Sequence, residues 1–251
     1  MRRIFISDLL KENITITGPD AHHLSRVMRS KEGDHIVVAD DEGRVGEYVM
    51  TGFTEDRVEL KLVAYIDENT ESNVEITLAQ CLPKGDKLEL ITQKATELGI
   101  NNIVPLTSDN CVVRYDTKKA KTKRDKWQKI ANEAGKQCGR GRLPEVEEIQ
   151  PLKQWLKEMA THQDDVALCM CYENEEQTGI KEFLAKCSQK RFAVVIGPEG
   201  GFSLDEAEYA KKLGIPSVSL GNRILRAETA AISAMSIIQY EKGDLGASCI
   251  V

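Results

Sequence analysis

Up to residue 71 the apolar positions fall in short, strand-like runs. RIFIS, NITIT, HIVVAD, RVGEYVMTGF and RVELKLVAYI are rich in β-branched residues, and many alternate with a two-residue period. The turn tripeptides G-P-D, E-G-D and D-E-G separate them. One helical insert is expected over residues 20–28, capped by Asp20. Five short strands at this spacing predict a small β-barrel. The polar stretch DENTESN (67–73) reads as a linker, dividing the chain into domains at 1–71 and 74–251.

From residue 74 the pattern switches to strands alternating with helices. VEITLAQC is a strand, and DKLELITQKATELG a helix with Leu88, Ile91, Ala95 and Leu98 on one stripe. Asp86 and Glu89 are placed for a capping box, and Gly99 follows the last turn. NIVPL, VALCMC, FAVVI and PSVSL are further strands. Helices are expected around 121–138, near 179–187, after Ser203 and from about Glu228 onward. Ser203 with Glu206 spells a second capping box, and Gly214 and Pro216 stop that helix. Strand–helix alternation predicts an α/β domain with a parallel sheet, whose ligands gather at the carboxyl ends of the strands.

Charge adds a contrast between regions. The chain has 34 Lys and Arg against 40 Asp and Glu, a formal net charge of −6, all of it carried by residues 1–72. Residues 114–142 run the other way, with eleven Lys and Arg against Asp116, Asp125 and Glu133. Such a patch suits a phosphate backbone, although many helical charge runs are solvated faces. The seven cysteines include no CxxC pair; Cys169 and Cys171 read as residues of one apolar strand, and no metal site is expected. Reduced thiols, the absence of an apolar stretch of about 20 residues, and an N-terminus without a signal-peptide core point to a cytoplasmic protein without membrane association.

Two loops carry the chemistry. FAVVIGPEGGFSLDE breaks a buried strand with G-P-E-G-G before a helix; SLGNRILRAETAA repeats the layout. Neither a GxGxxG fingerprint nor a GxxxxGK[ST] string is present, and Glu199 would repel a pyrophosphate. A nucleotide-dependent enzyme using G-P-E-G-G for phosphate is therefore the weaker alternative. Two nearly side-chain-free turns at one sheet edge, with Gly197, Gly200 and Gly201 in the first and Leu220, Gly221, Ile224 and Leu225 in the second, suit a planar ring such as adenine.

IGPEGGFSLDE, SLGNRILRAETA, LPKGDKLELITQKATELGI and WQKIANEAGKQCGR closely resemble the SPOUT-class RNA methyltransferases, and among them the family that methylates N3 of a uridine in 16S ribosomal RNA. HHLSRVMRSKEGDHI is similar to that family's PUA-like RNA-binding barrel, so the resemblance covers nearly the whole chain. It implies a deep trefoil knot in the α/β domain, S-adenosyl-L-methionine held by the knot loops, a homodimer, and 16S rRNA or the small ribosomal subunit as partner. It also implies that Cys171, Tyr172, Ile196 and the loop residues above surround the cofactor, with Glu173 beside them.

Arg226 then sits where the donor methyl faces the substrate. Its guanidinium can hold the negative charge that develops on O2 and O4 of uracil, or it can be a structural partner of Glu228. Glu228 belongs to the same catalytic edge, as a first-turn carboxylate or as the proton acceptor; Glu199 carries the same ambiguity, and no residue stands out as the base. For RNA, the resemblance points to Arg2, Arg3, His23, Arg26 and Arg29 in the first domain, the last three spaced i, i+3, i+6 on one helix. His23 can equally be a core or capping histidine. In the second domain it points to Lys84, Lys94, Gln137, Arg140 and Arg142. A factor that binds RNA and assists ribosome assembly without chemistry is the remaining alternative.

Overall fold

The computed structural model describes residues 3–40, 42–54, 56–66 and 70–246. They form two compact units: one contains residues up to Glu71 together with Gly135–Leu143, the other Ser72–Ala134 and the residues from Pro144 onward. The stretch Gly135–Leu143 lies far along the sequence from its unit.

In the first unit, β1 (Arg3–Ile6), β2 (Asn13–Thr17), β3 (His35–Asp40), β4 (Val45–Phe53) and β5 (Arg57–Ile66) make one sheet in the order β1-β3-β4-β5-β2. β1 runs parallel to β3 and the other neighbours are antiparallel. Register shifts between Glu47 and Tyr48, and between Met50 and Gly52, curl β4. The concave side closes over Leu24, Ile36, Val38, Tyr48, Val58 and Leu60, all buried. Tyr48 keeps its phenol satisfied there by donating to the Lys11 carbonyl at 2.7 Å. Buried Asp40 organises the D-E-G turn, accepting from Leu10 N at 3.1 Å, Arg44 N at 2.9 Å and Arg44 Nε at 2.9 Å.

The helical insert departs from expectation. It begins earlier, as α1 (Gly18–His22), with Pro19 in its first turn and Thr17 as N-cap. Asp20 does not cap it; its carboxylate instead accepts from Lys136 Nζ at 3.1 Å. A π-helical turn, His23–Val27, follows, and Arg29 lies beyond it with φ +51°. The wider π turn and the left-handed backbone at Arg29 break the i, i+3, i+6 face expected of His23, Arg26 and Arg29. All three are nonetheless exposed, so His23 is not a core residue.

The second unit is a fully parallel sheet: β6 (Glu75–Cys81), β7 (Asn102–Thr107), β8 (Glu145–Val146), β9 (Gln150–Pro151), β10 (Val166–Cys171), β11 (Arg191–Ile196) and β12 (Ser217–Val218). The order is β12-β10-β11-β6-β7-β8, with β9 also on β7. β10, β11 and β6 are covered on both faces, which is why their sequences read as unbroken apolar runs. Around them pack α2 (Lys87–Glu97), α3 (Thr117–Cys138), α4 (Leu152–Met159), α5 (Ile180–Lys186), α6 (Leu204–Lys212) and α7 (Ala227–Lys242). The Asp86 box at α2 does not form: Asp86 makes no capping bond, and Glu89 is drawn to Lys126 at 2.5 Å. The Ser203–Glu206 box does form, with both reciprocal bonds. Gly99 and Gly214 end α2 and α6 in the left-handed region.

Candidate cofactor and substrate site

The carboxyl ends of β10, β11 and β12 face one cavity of about 640 Å³, a size suited to a small organic ligand. Three loops line it. The turn after β11 contributes Ile196, Gly197, Pro198, Glu199 and Gly201. The segment after β12 contributes Leu220, Gly221, Ile224, Leu225 and Arg226, and the loop after β10 contributes Cys171, Tyr172 and Glu173. Burial pushes the Cys171 thiol up to about 12, so it offers a neutral, apolar surface.

The first turn is shaped by close approach. A Cβ on Gly201, whose φ is +64°, would lie 1.8 Å from Glu173 Oε1, so any side chain there must displace the exposed Glu173 carboxylate as well as hold a left-handed backbone. Behind the turn, Asn110 Nδ2 donates to the Gly200 and Gly201 carbonyls at 3.0 and 3.3 Å, and buried Gln80 Nε2 donates to the Gly197 carbonyl at 3.3 Å. Buried Glu206 accepts from Ser203 N at 2.9 Å and from Asp109 N at 2.8 Å, fixing where α6 begins. Gly200 faces Asn110 rather than the cavity; of the anticipated cofactor residues it alone is outside the lining.

The second turn is held more lightly. Ser219 joins the neighbouring loop through Ser219 N to Thr178 O at 2.9 Å and Ile180 N to Ser219 O at 3.0 Å. Beyond it, Gly221 has φ +115° with open space around it, and Ile224 is 89% exposed. Arg226 is exposed at the N-cap position of α7, and among the described residues its guanidinium makes no hydrogen bond or ion pair with protein. The alternative partnership of Arg226 with Glu228 is not formed. Glu228 pairs with Lys87 Nζ at 3.6 Å, and the same ammonium lies 2.6 Å from Glu199 Oε1. Glu199 also accepts from Lys84 N at 3.1 Å. Burial alone would raise its carboxyl, but Lys87 and these N–H donors outweigh that and hold it below the usual glutamate value.

Lys87 lines the cavity and was not singled out in the sequence. The one local signal is its place just after the P-K-G loop that ends β6.

The cavity fits S-adenosyl-L-methionine on the donors present. Two glycine turns expose backbone, apolar walls suit adenine, and Glu173 is drawn close over Gly201. Among the described residues no group of three His, Cys, Asp or Glu side chains could hold a metal ion.

The anticipated RNA residues divide. Arg140 is 4% exposed and grips Glu71 through Nε at 2.9 Å and Nη2 at 2.6 Å; its role is structural. Arg3 donates to the carbonyls of Gly139 and, at 2.8 Å, of Arg140, so it too braces the first unit. Lys94 is paired with Glu97 at 2.8 Å. His23, Arg26, Arg29, Lys84 and Arg142 are on the surface, and Arg2 lies outside the described residues.

Residues 70–239 match the RNA methyltransferase domain family, and residues 16–63 the RNA methyltransferase PUA domain family. The chain is 37% identical to ribosomal RNA small subunit methyltransferase E of Bacillus subtilis over 96% of its own length and 97% of that protein's. The chain belongs to the ribosomal RNA small subunit methyltransferase E family. A solved member of this methyltransferase E family from Neisseria gonorrhoeae, bound to S-adenosyl methionine, superimposes with a TM-score of 0.84 at 30% identity, covering 97% of this chain and 99% of that one. A putative methyltransferase from Legionella pneumophila with bound SAM gives 0.85 at 29% identity, over 97% of this chain and 98% of that one. Within the methyltransferase E family the parallel α/β unit is thus the methyltransferase domain, and the curled sheet is PUA-like.

Proposed function

We propose that this protein methylates N3 of a uridine in 16S ribosomal RNA of the small ribosomal subunit, using S-adenosyl-L-methionine, as a cytoplasmic homodimer. The observation that carries the reading is the cavity itself, where glycine turns from the ends of β11 and β12, on either side of β10, meet beside an arginine with no partner among the described residues. Its PUA-like domain (1–71, completed by 135–143) would contribute RNA contacts, and the α/β domain formed by the rest of the chain the chemistry. We further infer a trefoil knot. β12 is the edge strand beyond β10, yet α7 packs back on β6, β11 and α2, so the chain returns past the loop to which Ser219 is bonded.

S-adenosyl-L-methionine, when bound, supplies an electrophilic methyl group on a sulfonium. The protein's own part is to position and to stabilise charge. Gly197, Gly201 and Gly221 let backbone N–H and C=O groups reach the cofactor. Ile196, Cys171, Leu220 and Leu225 exclude water from it. Uracil must lose its N3 proton for the nitrogen to be nucleophilic, leaving negative charge on O2 and O4. Arg226, with no protein partner, is available to hold that charge and orient the base. N3 is hidden in duplex pairing, so the target is an unpaired, splayed base. Glu228, held on Lys87 at the first turn of α7, supports this edge rather than contacting the base.

The test is modification mapping of ribosomal RNA from cells lacking the protein. One uridine N3 methyl mark should be missing, restored by the wild type and not by Arg226→Ala. A mark fully restored by Arg226→Ala would sink the assignment.

A further inference from the structure

The ion cluster at the cavity mouth answers a question that the arginine raises. Arg226 and Glu228 stand two residues apart at the start of α7, and a long guanidinium beside a carboxylate ordinarily pairs with it. Here it does not. Glu228 Oε2 is buried and has no hydrogen-bond donor; its ion-pair partner among the described residues is Lys87, at 3.6 Å. Lys87 is itself fixed by a 2.6 Å contact to Glu199, and Glu199 is fixed by Lys84 N. One ammonium, delivered by the first residue of α2, therefore spans the 197–202 turn and the base of the 220–226 segment.

We propose that Lys87 is a positioning residue that occupies Glu228 and thereby keeps the Arg226 guanidinium available for the substrate. The inference rests on the reading of Arg226 given above and deepens it. With Lys87 gone, Glu228 would be left with a buried oxygen lacking any cation, and Arg226 is the neighbouring cation able to fold onto it. An arginine spent on Glu228 cannot also hold the uracil oxygens. Lys87 is itself part of the cavity wall, but without it Glu199 still accepts from Lys84 N and the glycine turn is still held by Gln80 and Asn110, so cofactor binding should change far less than transfer.

The experiment compares Lys87→Met, Lys87→Arg, the double variant Lys87→Met/Glu228→Gln, and Arg226→Ala in the full-length protein. Methyl transfer is measured on a small-subunit ribosomal RNA substrate, and S-adenosylmethionine affinity is measured separately by calorimetry. Lys87→Met should lose on the order of 10²-fold in kcat, the scale of a misplaced catalytic group, with cofactor Kd within about threefold. Lys87→Arg should restore most of the rate. The double variant should recover at least about tenfold over Lys87→Met, because a neutral amide no longer captures the guanidinium. A structural role for Lys87 would not produce that recovery. If Arg226→Ala is inactive but Lys87→Met is as fast as wild type, the proposal fails and the Arg226 assignment stands. It fails equally if the double variant is no better than Lys87→Met, or if cofactor affinity falls as far as the rate. Should Arg226→Ala prove active, both readings fall together.

Discussion

The turn at 197–202 and the segment at 220–226 follow the same plan in sequence but are held differently. In the first, Gly197, Gly200 and Gly201 have their carbonyls tied to Gln80 and Asn110, Glu199 is tied to α2, and Glu206 anchors the following helix. In the second, Ser219 is bonded, but Ile224 stands 89% exposed and Arg226 has no partner among the described residues. The contrast suggests a division of labour. One wall is preorganised for a ligand that stays the same, and the other is left able to adapt to an RNA base that must enter and leave.

Substitutions sharpen that contrast in order of expected size. Gly201→Ala should raise the cofactor Kd by on the order of 10²-fold, since the new methyl would push the cavity-lining Glu173 carboxylate aside and the backbone would have to hold a positive φ. The matching Gly221→Ala meets open space and only backbone strain, so its Kd should rise about tenfold or less. Calorimetry on both variants checks the pair; equal losses would erase the distinction between the turns. Next, Glu206→Ala leaves the partly buried N–H groups of Ser203 and Asp109 without their acceptor, and should lower unfolding free energy by about 1–3 kcal/mol in urea titrations. Asn110→Ala removes two carbonyl contacts at the edge of the same turn and should cost about 1 kcal/mol, with cofactor Kd up roughly fivefold.

The smallest effect is a pH dependence. Because the folded Glu199 carboxyl lies below its ordinary value of 4.5, the ionised side chain stabilises the fold at pH above that value. That contribution declines as pH falls through the depressed folded pKa. Thermal unfolding of wild type and Glu199→Gln should therefore differ by a constant, small margin through neutral pH and converge in acid. A margin that grows in acid would contradict the Lys87 bridge.

Local patterns made much of this architecture legible. The apolar runs of β6, β10 and β11 announced a sheet covered on both faces, and the Ser203–Glu206 box marked the start of α6 to the residue. The two glycine turns were legible as a pair because each follows a strand and precedes a helix. Less visible was α4, whose eight residues bury Leu152, Trp155 and Leu156 but carry no capping signal. Asp86 and Asp20 looked like caps and were diverted by lysines from distant segments, Lys126 acting on the Glu89 half of the first box. Lys87 was missed for the same reason: its partner Glu199 lies 112 positions away. Pairing across such separations leaves no local trace. Arg140 shows the converse, a cation whose local setting suggested a surface and whose partner, 69 positions earlier, turns it inward.

That last pair has a consequence for how the molecule comes into being. All five strands of the curled sheet leave the ribosome before Arg140 is made, and at about 5–20 residues per second the wait for it is several seconds. Until then Glu71 lacks its guanidinium and Arg3 lacks the carbonyls of Gly139 and Arg140. An excised fragment ending at residue 71 would be arrested permanently at that unfinished stage, so work on the isolated PUA-like unit should carry residues 135–143 with it.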